Sequence, residues 1–96
     1  DALAALKALE SMFAGLATDI QGEVHDNVTI TGPVRIGKGS VIHGNVSIEG
    51  PVIIGQNVRV SSHAQIRQHA YIGDDCVVGH SADIKHSLCL DGAKIQ

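Results

Sequence analysis

The residues of this sequence best suited to binding a ligand are two cations, Arg67 and Lys85, which are 18 positions apart. If residues at that spacing lie side by side, their repulsion is roughly 1 kcal/mol in water and about 3 kcal/mol at an effective dielectric of 20. A bound phosphate would offset this repulsion, because Arg and Lys are the side chains that bind phosphate. The alternative is a surface ion ladder with Glu49 and Asp83, which contributes little to stability.

Six histidines and two cysteines are the other candidates for chemistry. His69, His80 and His86 are weaker candidates for ligand contacts, and the alternative is that they are solvated histidines at corners of the fold. Cys76 and Cys89 have no spacing typical of a metal or redox site, so Cys76 is predicted to be a small buried thiol. We predict no metal site, and a reducing, cytoplasmic location.

A ladder of aliphatic residues must position these side chains, with one rung at every sixth residue. The twelve rungs are Val24, Ile30, Ile36, Ile42, Ile48, Ile54, Val60, Ile66, Ile72, Val78, Ile84 and Leu90. A single helix repeats near 3.6 residues and a single strand at 2, so neither fits this period. A hexapeptide period is typical of a parallel β-helix. We predict a left-handed β-helix of about four coils of 18 residues, stacked at roughly 4.8 Å.

The position three residues after each rung is rich in residues that form turns, as the corners of a triangular coil require. These residues are Asn27, Pro33, Gly39, Asn45, Pro51, Asn57, Asp75, Ser81 and Ser87. A second inward series lies two residues before the rungs and includes Ser40 and Cys76. The predicted β-helix covers residues 18–96 and lacks a closing element at its C-terminal end, so we expect it to be incomplete there.

The N-terminal segment, residues 1–17, has a different pattern from the ladder. Leu3, Leu6, Leu9, Phe13 and Leu16 recur at spacings of three and four, which predicts an amphipathic helix from about residue 2 to 16. Asp1 is the predicted N-cap. Such a helix is marginal alone, so its apolar stripe must pack on something. It is either a cap on the first coil or a linker to a preceding domain.

Composition excludes several classes of function. The chain of 96 residues has a net charge of −3 and no basic run, which disfavours a nucleic-acid partner. No apolar stretch approaches the 18 residues of a membrane span, and charges within residues 1–17 argue against a signal peptide. We therefore expect one small domain with neither a membrane nor a nucleic-acid partner.

The stretch 66–96, and most specifically G-H-S-A-D-I-K at 79–85, resembles the acyltransferase half of bifunctional sugar-phosphate enzymes. These are the glucosamine-1-phosphate acetyltransferase/UDP-N-acetylglucosamine pyrophosphorylase family and related two-domain sugar nucleotidyltransferases. The resemblance implies that Arg67 and Lys85 hold a sugar phosphate. It also implies acetyl-CoA as the acyl donor and a homotrimer. The expected activity is N-acetylation of an amino-sugar phosphate.

The same resemblance implies that the catalytic histidine, with a tyrosine three residues later, would follow Gln96. No catalytic residue is therefore expected within residues 1–96, and this chain alone is expected to be inactive. The alternative is a non-catalytic β-helix that serves as an oligomerisation or regulatory module of a nucleotidyltransferase.

A less favoured alternative is a zinc enzyme similar to the γ-class carbonic anhydrases. These proteins use two histidines spaced H-x4-H and a third two coils earlier. Here His80 and His86 are spaced H-x5-H, and the position 36 residues before His80 is Gly44. The pattern therefore fails at two of the three ligands.

Overall fold

The computed structural model describes residues 1–96 as one helix followed by a left-handed parallel β-helix of about four turns. The fold class predicted from the ladder is thus confirmed. The elements are α1 (Ala2–Ser11), β1 (Asp19–Ile20), β2 (Glu23–Val24), β3 (Thr29–Thr31), β4 (Val34–Ile36), β5 (Val41–Ile42), β6 (Ser47–Glu49), β7 (Val52–Ile54), β8 (Arg59–Val60), β9 (Gln65–Ile66), β10 (Ala70–Ile72), β11 (Val77–Val78), β12 (Asp83–Ile84), β13 (Leu88–Cys89) and β14 (Lys94–Ile95).

Each complete coil contributes one strand to each of three parallel sheets. Sheet A contains β1, β4, β7, β10 and β13 in that order, sheet B contains β2, β5, β8, β11 and β14, and sheet C contains β3, β6, β9 and β12. In the middle coils paired residues are 18 apart, as Ile48 and Ile66 in sheet C show. This register places residues of equal hexapeptide position above one another.

The aliphatic rungs form the core of the coil. Every rung from Ile36 to Ile84 is buried, and burying such a side chain contributes about 1.5–3 kcal/mol. One polar residue, Ser40, is buried at an inward position. Its Oγ donates to the carbonyl of Gly55 at 2.7 Å and accepts from the N–H of Val58 at 3.0 Å. The hydroxyl is therefore satisfied within the core.

The ladder prediction is wrong at its last rung. Tyr71 pairs with Leu88 and Ile72 with Cys89, both 17 residues apart. The reason is that Cys89 follows Ile84 by five residues around this corner, whereas Ile72 follows Ile66 by six around the equivalent corner of the preceding coil. Cys89 therefore points inward and is buried, while Leu90 is 71% exposed. The left-handed corner residue is correspondingly His86, with φ 47°, and not Ser87 as the hexapeptide count predicts.

Helix α1 is shorter than the apolar spacing predicts. Asp1 caps it as expected, since its Oδ1 accepts from the N–H of Ala4 at 2.6 Å. The helix ends at Ser11, and a turn leads to Gly15, whose φ is +70°. Phe13 in this turn is buried, whereas Leu3 is 60% exposed.

The first coil keeps an exposed edge. Ile20 and Val24 are 41% and 37% exposed, so helix α1 does not cover them. The contacts of its C-terminal end lie instead on the later corners at His69 and His86. At 10 residues, the helix is also too short to cross a bilayer.

Candidate functional site

Arg67 and Lys85 occupy equivalent positions, each immediately after one of two neighbouring strands of sheet C, β9 and β12. Ile66 pairs with Ile84, each immediately before one of the cations, and the N–H of Arg67 donates to the carbonyl of Ile84 at 2.8 Å. The spacing of 18 thus brings the two cations together at one edge of the sheet. Their role in binding a ligand stays a prediction.

The guanidinium of Arg67 already has partners. Its Nη2 donates to Oε1 of Gln65 at 2.7 Å and to Oδ2 of Asp83 at 3.1 Å. These groups are largely exposed, so the ion pair with Asp83 contributes little to stability. Lys85 is exposed and forms no ion pair within 4.0 Å. One cation of the pair is therefore compensated and the other is available to an anion.

Two of the candidate histidines, His69 and His86, stack at the corner between sheets C and A. Their ring centroids are 4.9 Å apart and their planes are tilted by 32°. Both residues have the left-handed backbone conformation, with φ 63° and 47°. The edge of Phe13 also packs on the ring of His69, with centroids 5.5 Å apart. The shortened corner makes this stacking possible at a sequence separation of 17.

A carboxylate from helix α1 completes this group. Oε2 of Glu10 lies 4.0 Å from Nε2 of His86, and ligand atoms of Glu10, His69 and His86 all lie within 4.8 Å of one another. Nδ1 of His69 is buried and has no hydrogen-bond partner. Sequence reasoning missed this cluster, because Glu10 precedes the repeats and the two histidines do not obey the 18-residue spacing.

The third candidate histidine, His80, lies elsewhere. It packs on His63 at the corner between sheets B and C, with ring centroids 5.2 Å apart. His25 and His43 pack edge to face at the same type of corner, with ring centroids 5.0 Å apart, as their separation of 18 predicts. The structure therefore divides the three candidates, with His69 and His86 together and His80 apart.

A concave region lies on the outer face of sheet A and has a volume of about 670 Å³. It contains neither Arg67 nor Lys85. Its lining includes Met12, Arg35, Lys38, Ile53, Tyr71 and Asp74. It therefore combines two cations with apolar surface, and sequence reasoning did not single it out.

The two cysteines are free thiols in the core. Sγ of Cys76 donates to the carbonyl of Leu90 at 3.1 Å. Burial, and secondly the nearby Cys76, raise the pKa of the Cys89 thiol. The raised pKa means that the Cys89 thiol is not activated as a nucleophile, since the thiolate is the reactive form.

Part of the repeats matches a known protein family. The family described as bacterial transferase hexapeptide (six repeats) matches residues 51–86. That range contains Arg67, Lys85, His69 and His86. No curated protein and no solved structure matches the chain. Residues 51–86 are thus similar to this family of hexapeptide repeats.

Proposed function

We propose that this β-helix belongs to an acyltransferase that acetylates an amino-sugar phosphate, with Arg67 and Lys85 binding the phosphate. The observation that carries the proposal is the register of sheet C, which puts these cations directly after two adjacent strands within the matched repeats. A phosphate bound there would accept hydrogen bonds from both. Binding energy from this group, remote from the reacting amine, would position the substrate.

The acyl donor in this proposal is acetyl-CoA, and the cavity on sheet A supports it. A phosphorylated ligand with an apolar arm requires cations beside apolar surface. Arg35 and Lys38 supply the cations, and Ile53 and Tyr71 supply the apolar surface. Binding of coenzyme A should then weaken in Arg35→Gln, while Arg59→Gln on sheet B, an exposed arginine outside the cavity, should have no effect.

The experiment that tests the acceptor site is a calorimetric titration of the chain with glucosamine-1-phosphate and with glucosamine. We expect glucosamine-1-phosphate to bind measurably and glucosamine, which lacks the phosphate, not to bind. Hydrogen bonds to charged groups contribute about 1.5–3 kcal/mol, so Arg67→Gln and Lys85→Gln should each weaken binding by roughly 10- to 100-fold. Lys94→Gln is the matched control, because Lys94 is an exposed lysine on sheet B. Equal affinities for all of these proteins would contradict the proposal.

A homotrimer is the proposed assembly, supported by an outward apolar column on sheet A. Ile53, Tyr71 and Leu88 are aligned in this column by the strand register. Sedimentation of the chain should give three times the monomer mass, and Leu88→Glu should reduce it to the monomer. The same substitution at exposed Leu3 of helix α1 is the control.

The second candidate function is a non-catalytic module for oligomerisation or regulation. The pairing of Arg67 with Asp83 and Gln65 favours it, because the Asp83 carboxylate compensates the charge of the guanidinium without any ligand. Under this alternative the chain would assemble into trimers but bind neither the sugar phosphate nor coenzyme A. The titrations above therefore distinguish the two functions.

A further inference from the structure

We propose that Glu10, His69 and His86 bind a divalent ion of zinc-type chemistry, which ties the end of helix α1 to the corner between sheets C and A. This site is separate from the proposed acetyl transfer and does not depend on it. It joins a residue outside the repeats to two residues on neighbouring coils. Its ion would be a structural tether between those two parts of the chain.

The geometry of the three ligand atoms suits a small divalent ion. Because these atoms lie within 4.8 Å of one another, a point no more than about 2.8 Å from each of them exists between them. Zinc binds imidazole nitrogen at about 2.0–2.1 Å and carboxylate oxygen at about 2.0–2.2 Å. Each atom must therefore approach by less than about 1 Å. The exposed side chains of Glu10 and His86 can make this adjustment through side-chain rotation.

The ligand types also select the ion. Two imidazoles and one carboxylate are a ligand set that zinc uses, whereas calcium and magnesium prefer oxygen ligands alone. Three protein ligands leave a fourth tetrahedral position for water. His86 and His69 are held at adjacent left-handed corners, so the two imidazoles come from a rigid scaffold. Such a scaffold limits the entropy lost on binding.

A further observation indicates that this corner lacks a hydrogen-bond partner in the protein alone. Nδ1 of His69 is buried without a hydrogen-bond partner, which is costly for a polar atom. A bound ion would hold the ring in one orientation, either by ligation at that nitrogen or at the other. The pairs His63–His80 and His25–His43 pack edge to face, with ring planes at 74°, and neither belongs to a comparable three-ligand group.

A bound ion would stabilise helix α1. The helix is 10 residues long and buries none of them, and isolated helices of fewer than about 12–15 residues are marginal in water. The carboxylate of Glu10 in the helix and the ring of Phe13 in the turn that follows it contact the corner. An ion shared by Glu10 and the two histidines would couple helix formation to metal binding.

The test is a titration of the untagged, metal-free chain with Zn²⁺, followed by calorimetry and thermal unfolding, with Co²⁺ absorption as a probe of coordination geometry. We expect one ion per chain, a rise in Tm and a tetrahedral Co²⁺ spectrum. Removing a residue that only orients a metal ligand weakens metal binding about 10–100-fold. Glu10, His69 and His86 are the proposed ligands themselves, so Glu10→Gln, His69→Asn and His86→Asn should each weaken Zn²⁺ binding at least as much. Asn is chosen because it tolerates the left-handed conformation of these corners.

His63→Asn is the matched control, since His63 also has a positive φ of 66° and packs on another histidine. It should bind Zn²⁺ as the unaltered chain does. Hydrogen exchange should also show that Zn²⁺ protects the amides of helix α1 in the unaltered chain but not in Glu10→Gln. This exposed substitution keeps the test valid if either corner variant fails to fold. Absence of Zn²⁺ binding, an unaffected Glu10→Gln variant, or an equal loss in His63→Asn would overturn the proposal.

Discussion

The guanidinium of Arg67 and the carboxylate of Asp83 form an ion pair of 3.1 Å across two strands of sheet C. Lys85, two residues beyond Asp83, has no such partner. Asp83 is therefore paired with the same guanidinium that the proposed phosphate would contact. An incoming anion must compete with this carboxylate, which makes Asp83 a regulator of affinity at the proposed site.

Asp83→Asn should raise the affinity for glucosamine-1-phosphate. Removing one negative charge near the anion is worth on the order of 1 kcal/mol at an exposed site, or about a fivefold tighter Kd. The gain should shrink at high salt because exposed charges are screened. Calorimetry at two salt concentrations measures both effects. Asp75→Asn makes the same charge change at a distant exposed corner and should have a smaller effect; an equal effect would show that only net charge matters.

Ser40→Ala should destabilise the β-helix although it replaces a polar core residue with an apolar one. The substitution leaves the N–H of Val58 and the carbonyl of Gly55 without the hydroxyl that contacts both. The expected loss in free energy of unfolding is about 1–3 kcal/mol. Urea unfolding measures it, with Ser61→Ala as the control at a half-buried position. That control should change stability by less than about 0.5 kcal/mol, and a neutral Ser40→Ala would contradict the assigned role.

Phe13→Ala should release helix α1 from the coil without unfolding the repeats. Phe13 is 5% exposed and packs on His69, and its burial is worth about 1.5–3 kcal/mol. Limited proteolysis should therefore cut residues 1–17 faster, while the main unfolding transition changes little. Met12→Ala, an exposed neighbour, should keep the protease resistance of the unaltered chain. A global loss of stability in Phe13→Ala would place this ring in the main core instead.

Because the pKa of the Cys89 thiol is raised, the free energy of unfolding should fall as the pH becomes alkaline. The folded state disfavours the thiolate, mainly through burial and secondly through Cys76. As pH rises above the ordinary thiol range of about 8.5, the unfolded chain loses this proton first. The free energy of unfolding should then fall until the folded thiol also ionises. Urea unfolding as a function of pH measures this fall, which should be smaller in Cys89→Ala.

Alkylation gives an independent measurement of the same thiol. At neutral pH the native chain should react more slowly with iodoacetamide than the urea-unfolded chain, because burial suppresses both the thiolate and access to it. Mass spectrometry of the labelled peptides separates Cys89 from Cys76. Rapid native labelling of Cys89 would contradict its inward position.

Much of the fold was predictable from residue types alone. The unbroken series from Ile36 to Ile84 is buried at every rung. A β-helix is the fold in which branched aliphatic residues with a hexapeptide period are all buried together. The strand register between Ile66 and Ile84 follows from the same period. The neighbouring positions of Arg67 and Lys85 were therefore predictable without coordinates.

The end of the ladder was not predictable by counting. Leu90 continues the period in sequence, yet Cys89 is buried in its place, because one corner is a residue shorter and shifts every later residue by one position. A corner's length depends on how its backbone closes onto the coil above. Hydrophobic periodicity contains no information about that closure.

The sequence by itself determined the β-helix, its three faces and the stacking of residues 18 apart, because burial of a periodic apolar series dictates them. Only the tertiary structure decided that Arg67 pairs with Asp83, that His86 stacks on His69, and that Glu10 joins them. These contacts depend on side-chain direction, on one shortened corner and on the packing of a helix outside the repeats. None of these features repeats with the hexapeptide period, so the contacts could be identified only from the three-dimensional structure.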